Sequence, residues 1–371
     1  MIRFGPAGIP LSCKGRTLKD GVEDVHTLSL TAMEVQMVRS ETMETYPEEE
    51  DIGLTMKDIK DRMVVEMIRD DELIIDHDEP IEEDDILVCM VSGITDSFGE
   101  LYSIGDMARR LDVSLSLHTP YYMDLGSNNE LTDSCMNSIR YSAIVADALG
   151  ANIVTTNLGL YNPEMDPDDV DNNIYDNVAS IMDWWNGNGL RPKLGIEITS
   201  KDNVFGSLEQ ILDVCDNFEN VVPVINWPNY YSRSLPQSSD SDNFQSWEVA
   251  DFQYAIEQVE GYNDGKIHTL FSGIEHRNWS EFRLSPIKKG TLKFETLAEC
   301  LVNVKPDITV ISSSPLLEHD AMYMRTIHER ALAKKVIKRI KQERKEAEAE
   351  EKKAEAEEKK DDSEVDSGDS E

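Results

Sequence analysis

Short apolar segments that end in polar or small residues recur along this chain, and most are followed by apolar residues at helical spacing. This alternation leaves few folds open, because strands that alternate with helices form parallel sheets covered by their crossover helices. The strand candidates are residues 2–7, 32–38, 115–119, 152–157, 193–198, 221–226, 266–272 and 307–312. Eight such units predict an α/β protein, a (β/α)8 or TIM barrel over about residues 1–330.

Two regions interrupt the alternation. Residues 41–85 are rich in Asp and Glu and follow the second strand candidate, which predicts an acidic insertion after strand 2, a small β-containing excursion on the barrel rim. Residues 331–371 are highly charged, and Glu/Lys pairs at i,i+4 without an apolar stripe predict a solvated helix. The last residues, 361–371, are expected to be disordered. A protein partner could use this charged tail.

The net charge of −37 restricts the partners of the chain. From Lys334 onward there are 11 basic and 14 acidic residues, so the tail carries −3 and the remainder carries −34. Such a field repels nucleic acid unless salt, a basic patch or a metal ion overcomes it. The composition therefore favours a salt-adapted cytoplasm or a partner other than DNA. No apolar run has the length of a membrane span, which predicts a cytoplasmic protein without membrane contact.

Two side chains at predicted strand ends are candidates for chemistry. Pro120 should end the third strand, which leaves His118 at the carboxyl end of that strand, where parallel barrels place their active sites. Glu197 lies within an apolar strand, where a carboxylate needs a cation or several hydrogen-bond donors. Each has a structural alternative: a loop carbonyl could satisfy His118, and backbone amides or Arg233 could satisfy Glu197.

Six segments in this order resemble motifs of one known family. They are HTPYYMDL (118–125), NLGLY (157–161), GIE (195–197), VPVIN (222–226), FSGIEH (271–276) and SSPLLEHDA (313–321). Together they are similar to an archaeal branch of the endonuclease IV family (AP endonuclease family 2), within the xylose isomerase-like TIM barrels. The resemblance covers about residues 1–330 and excludes the tail.

The resemblance implies a zinc-dependent hydrolase of the DNA-(apurinic or apyrimidinic site) endonuclease type, which cuts damaged DNA during repair by means of a metal-activated hydroxide. It implies His118, Glu197 and His268 as metal ligands, with Glu197 also catalytic. Leu270 takes the place of His268 in an alternative strand register. The cofactor implied is zinc or another divalent cation, one ion or none, because neutral side chains replace several expected ligands. The replacements are Asn157, Asn226, Asn229 and Ser313.

The expected substrate-binding residues lie on the loops after the strands. They are Asn157, Asn226, Asn229, Tyr231, Arg233 and Arg283, with the two arginines as phosphate contacts. Trp227, Tyr230, Tyr231 and Trp279 could stack on bases or pack over the barrel mouth.

Two further functions are compatible with the sequence, so enzyme activity stays undecided at this point. The neutral replacements and the negative charge favour a catalytically degenerate barrel that binds a ligand or partner. A sugar isomerase or epimerase of the same superfamily ranks last, because such a metal site needs several carboxylates and Glu197 is the one recognised.

Overall fold

The structure is a computed structural model that describes residues 1–236, 244–278 and 281–365, with side chains described through residue 350 and at Lys352. Its strands are β1 (Ile2–Pro6), β2 (Ala32–Gln36), β3 (Glu41–Thr45), β4 (Val64–Arg69), β5 (Glu72–Ile74), β6 (Ile86–Val91), β7 (Ser114–His118), β8 (Ile153–Thr156), β9 (Lys193–Glu197), β10 (Val221–Asn226), β11 (Lys266–Phe271), β12 (Gly273–Asn278), β13 (Glu281–Ser285) and β14 (Asp307–Ser312). The helices are α1 (Leu18–Thr27), α2 (Phe98–Arg110), α3 (Glu130–Leu149), α4 (Pro167–Gly187), α5 (Leu208–Asn217), α6 (Trp227–Ser234), α7 (Val249–Val259), α8 (Phe294–Val304) and α9 (Glu318–Val365).

Eight parallel strands form the barrel. Their order is β1-β14-β11-β10-β9-β8-β7-β2, and a parallel bridge from Ala7 to Glu34 joins the two ends of this sheet. The helices between the strands cover the outside, and the main core lies between them and the sheet. The predicted (β/α)8 barrel with an insertion after strand 2 is confirmed.

Local sequence signals fix where the helices begin and end. Thr17 and Asp20 form a reciprocal capping box at the start of α1, and Ser207 and Gln210 do the same for α5. Gly150 ends α3 in the left-handed conformation (φ 65°), where a side chain would be strained.

The barrel interior is narrow, and one glycine shows how tightly it is filled. A Cβ on Gly195 would lie 2.6 Å from Ile153 Cδ1 and 2.7 Å from Val224 Cγ2. The apolar part of the interior is small and consists of Ala32, Ile153, Val222, Val224, Leu270 and Ile311. The other inward-facing side chains, which are described below, are polar.

The insertion is an antiparallel sheet in the order β3-β6-β4-β5, with a small apolar core of its own. The Tyr141 hydroxyl on α3 donates to Glu66 Oε2 at 2.8 Å, which ties this sheet to the barrel. The Asn188 side chain accepts from the backbone N–H of His77 at 3.0 Å and makes a second attachment. The insertion therefore packs on the outer helices.

The carboxyl-terminal part is one long helix. Near Ala321 and Met324, α9 is buried against the barrel, and from Lys334 onward its described side chains are exposed. The expected disordered segment from residue 361 overlaps the last turn of α9, and residues 366–371 lie outside the described ranges. None of the helices described is long and apolar enough to cross a membrane.

Candidate ligand site at the carboxyl ends of the strands

His118 and Glu197 are the last residues of β7 and β9, and both side chains are buried inside the barrel mouth. His118 Nε2 lies 3.2 Å from Glu197 Oε2, and His118 Nδ1 donates to the Thr119 carbonyl oxygen at 2.8 Å. Both ring nitrogens thus face acceptors, which is the arrangement of a protonated imidazole. The structure brings together this pair of predicted site residues.

The charge of His118 follows from these neighbours. Burial lowers the pKa of His118, but the hydrogen bond with Glu197 and the negative charges of Glu34 and Glu197 raise it to about 9. His118 is therefore an imidazolium at neutral pH, and the pair is an ion pair with additional hydrogen bonds, which buried charges require.

The second oxygen of Glu197 is taken by two amides. Asn226 Nδ2 donates to Glu197 Oε1 at 3.0 Å and Asn229 Nδ2 at 3.2 Å. A further hydrogen bond fixes the orientation of each amide. Asn226 Oδ1 accepts from the Asn229 backbone N–H at 3.2 Å as the N-cap of α6, and Asn229 Nδ2 also donates to the Ile198 carbonyl at 3.1 Å. Two N–H donors therefore point at the Glu197 carboxylate.

His268 does not join this pair. It is 7 % exposed, and its Nε2 lies 3.2 Å from Oε2 of Glu34, a carboxylate with no exposed surface on β2. Gln36 Nε2 donates to the other oxygen of Glu34 at 3.0 Å. Burial raises the pKa of Glu34, but the His268 hydrogen bond and the charges of His118 and His268 outweigh it, so the pKa lies below its ordinary value.

Glu34 was missed in the sequence, although its signal was the same as that of Glu197. It is a carboxylate inside the short apolar strand β2, in the segment AMEVQ. The sequence left open whether His268 or Leu270 takes the ligand position on the seventh barrel strand, which is β11. In the structure His268 contacts Glu34, and Leu270 belongs to the apolar interior. Both face inward, as residues two apart on a strand must.

The other predicted binding residues have structural partners. Asn157 Nδ2 donates to the Tyr121 carbonyl at 2.9 Å at the mouth. Arg233 Nη1 donates to Lys201 O at 2.6 Å and to Thr199 Oγ1 at 3.0 Å, which holds the loop after β9. Arg283 pairs with Glu275 across the β12–β13 hairpin at 2.6 Å.

The predicted loop aromatics pack against one another. Tyr231 is fully buried and donates its hydroxyl to the Gln245 carbonyl, and Trp227 is also fully buried. Trp227, Tyr230 and Tyr231 all contact Trp247. Trp279 lies outside the described residues. Two aromatics that were not selected from the sequence, Tyr121 and Tyr122, follow His118 by three and four positions and are 71 % and 86 % exposed.

The metal site implied by the family resemblance does not fit the arrangement of these side chains. Asn226 and Asn229 present N–H groups, not lone pairs, toward Glu197, and an N–H group cannot ligate a cation. His268 is paired with Glu34, so the three predicted ligands do not converge. Within the described ranges, no three His, Cys, Asp or Glu side chains form a group that could hold a metal ion.

Comparisons with known proteins agree with the fold. Residues 64–314 match the protein family described as xylose isomerase-like TIM barrel. An uncharacterized protein of Methanocaldococcus jannaschii is 29% identical over 233 residues, which is 60% of this chain and 82% of that protein.

The solved structures that resemble this chain include proteins with different names and activities. A D-tagatose 3-epimerase-like protein has a TM-score of 0.56 at 14% identity, covering 86% of this chain and 96% of its own. Endonuclease IV from Thermus thermophilus has a TM-score of 0.52 at 13% identity, covering 89% of this chain and 99% of its own. At such identities, the likeness shows a common fold.

Proposed function

The chain belongs to the xylose isomerase-like TIM-barrel family, and from this premise we propose that it is a repurposed member that binds an uncharged, hydroxyl-rich small molecule without a resident metal ion. The ligand lies at the barrel mouth, over the His118–Glu197 ion pair. The observation that carries the proposal is the pair of Asn amides that donate to Glu197. These two neutral amides supply the hydrogen bonds that a buried carboxylate needs, so Glu197 does not need a metal ion for this purpose.

The remaining groups at the mouth suit hydroxyl groups. Asn157 and Asn226 are half-buried there, and Ser313, just after β14, has a buried Oγ without a hydrogen-bond partner among the described residues. Amides and hydroxyls both donate and accept, as sugar hydroxyls do. Tyr121 and Tyr122 form an exposed edge-to-face pair with ring centres 5.6 Å apart, which offers an apolar surface to a carbon skeleton.

The charges at the mouth also favour a neutral ligand. Both arginines predicted as phosphate contacts already have protein partners, Arg233 in the loop after β9 and Arg283 at Glu275. His118 and Glu197 neutralise each other. Binding a neutral ligand avoids the cost of desolvating a further charge. The chain's net charge of −37 also repels anions.

The experiment is isothermal titration of the full chain with D-fructose, D-ribose and myo-inositol, with and without a chelator. We expect saturable binding of at least one probe, unchanged by the chelator, and about tenfold weaker binding after Tyr121→Ala or Glu197→Gln. Tyr102→Ala, at an exposed tyrosine on α2, is the matched control and should bind normally. Binding that disappears with the chelator, or no binding of any probe, refutes the proposal.

The zinc content of a variant with metal-ligating side chains at positions 226 and 229 gives a second test. Asn226→Asp with Asn229→His would replace both N–H donors by ligating groups. By plasma mass spectrometry, we expect the wild type to be purified without stoichiometric metal, and the double variant to retain about one zinc ion per chain. Stoichiometric zinc in the wild type would remove the basis of the proposal.

Metal-dependent cleavage of DNA at abasic sites is the second candidate function. One observation favours it: the Nδ1 hydrogen bond from His118 to the Thr119 carbonyl is the contact by which metal-binding histidines are usually oriented. The test is zinc or manganese content of the wild type beside Glu197→Ala, together with cleavage of an abasic duplex across a range of salt. One ion per chain that is lost in the variant, with cleavage, supports this function; a metal-free and inactive wild type excludes it.

A further inference from the structure

A cavity of about 680 Å³ opens at the amino-terminal end of the barrel, opposite the mouth. Its floor reaches Ser116 and His268 inside the barrel. None of the residues proposed to bind the ligand at the mouth lines this cavity. The cavity is therefore separate from the proposed ligand site at the mouth.

The first residues of alternate strands surround this opening. Lys193 begins β9 and Lys266 begins β11, and side chains two apart on a strand face the same way. Lys193 therefore shares the inward side of β9 with Glu197, and Lys266 shares that of β11 with His268. Arg3 of β1 and Ser114 of β7 line the same cavity. The barrel thus presents several inward cations at this end.

These cations are unusual in a chain of net charge −37. Five cationic side chains line the cavity against four carboxylates. Three of these carboxylates already form ion pairs: Asp112 with Arg3, Asp147 with Arg191, and Asp307 with the amino group of Met1. In the described part of the chain, Lys193 and Lys266 pair with no carboxylate, although Lys193 donates to the Asn220 side chain. Their positive charges remain available to a ligand.

The inner end of the cavity has two polar groups without a protein partner. Ser116 is 4 % exposed, and its hydroxyl makes no hydrogen bond to any described residue. An orphaned buried hydroxyl costs free energy unless a ligand or water satisfies it. His268 uses Nε2 for Glu34, and no described residue hydrogen-bonds its Nδ1.

We propose that this end of the barrel binds a phosphate-class oxyanion, with Lys193 and Lys266 as its charge partners, the Ser116 hydroxyl as a donor, and His268 at its inner limit. Ammonium groups and a hydroxyl are suitable donors to phosphate oxygens. The volume also admits a small organic group, so free phosphate and a phosphorylated metabolite share this chemistry. The site is independent of the ligand at the mouth.

The test is isothermal titration of the full chain with inorganic phosphate and, separately, glycerol 3-phosphate, with chloride adjusted to constant ionic strength. We expect saturable binding in the millimolar range or tighter, weakened at least about tenfold by Lys193→Ala with Lys266→Ala. Lys19→Ala, at an exposed lysine on α1, controls for the loss of positive charge. Tighter binding of glycerol 3-phosphate indicates an organic ligand, and equal binding indicates phosphate itself.

Ser116→Ala separates a binding role from a structural one. Because its hydroxyl has no partner among the described residues, its removal should not lower the melting temperature in chloride but should reduce the stabilisation by phosphate. The absence of phosphate binding in the wild type, or equal losses in the Lys19 control, overturns the proposal. If phosphate binding is lost in His118→Gln but kept in the double lysine variant, the anion binds at the mouth. This result would also overturn the proposal.

Discussion

The stability contributed by protonated His118 should depend on pH in a defined window. The pKa of His118 is about 9 in the fold against an ordinary value of 6.5, because the hydrogen bond with Glu197 and the two nearby carboxylates outweigh burial. Since the folded pKa is the higher one, the protonated ring stabilises the fold fully below pH 6.5. This stabilisation is lost as the pH rises through about 9. The difference corresponds to about 3 kcal/mol.

The perturbation is His118→Gln, which keeps a neutral hydrogen-bond donor near Glu197. We expect the stability difference between wild type and variant to be about 3 kcal/mol larger at pH 6 than at pH 10. The assay is urea unfolding at fixed salt, with the free energy of unfolding measured at each pH. Comparing wild type with variant cancels the titration of the other histidines.

A double-mutant cycle identifies the cause. In a Glu197→Gln background the carboxylate partner is absent, so the pH-dependent part of the His118→Gln effect should shrink markedly. A stability difference that stays constant from about pH 6 to about pH 10 would refute the reasoning. It would mean that His118 is not held as an imidazolium by its neighbours.

Three other perturbations follow from the contacts, each measured by urea unfolding. Gly195→Ala should lose about 1–3 kcal/mol, since the new methyl group would lie 2.7 Å from Val224; an unchanged stability would contradict the tight interior. Tyr141→Phe should lose about 1–3 kcal/mol by stranding buried Glu66, and equal stability would mean that this contact does not hold the insertion. His276→Phe should make the protein less sensitive to acid between pH 6.5 and 4. Burial lowers the pKa of this histidine to about 4, so the fold loses stability as the pH falls through that window; an unaltered acid profile would contradict this.

The sequence by itself determined the barrel and one end of its interior. Eight alternating units close in one way, and parallel strands bring their carboxyl ends to the same face. His118 and Glu197 stand at two such ends, so their proximity was predictable without coordinates. A buried carboxylate also requires donors, which made Glu197 conspicuous. Glu34 carried the same signal in β2 and could have been selected by the same rule.

The tertiary structure decided which groups face each other across the barrel. Glu34 and His268 are 234 positions apart and meet only because the barrel closes between β1 and β2 in one register. Strand patterns do not contain that register, because each strand alternates in the same way. The orientation of the Asn229 side chain likewise depends on a tertiary contact, because its Nδ2 donates to the carbonyl oxygen of Ile198, just after the neighbouring strand β9. Asn226 and Asn229, two of the expected ligand positions, thus donate hydrogen bonds to Glu197, and the proposed metal-free site rests on this arrangement.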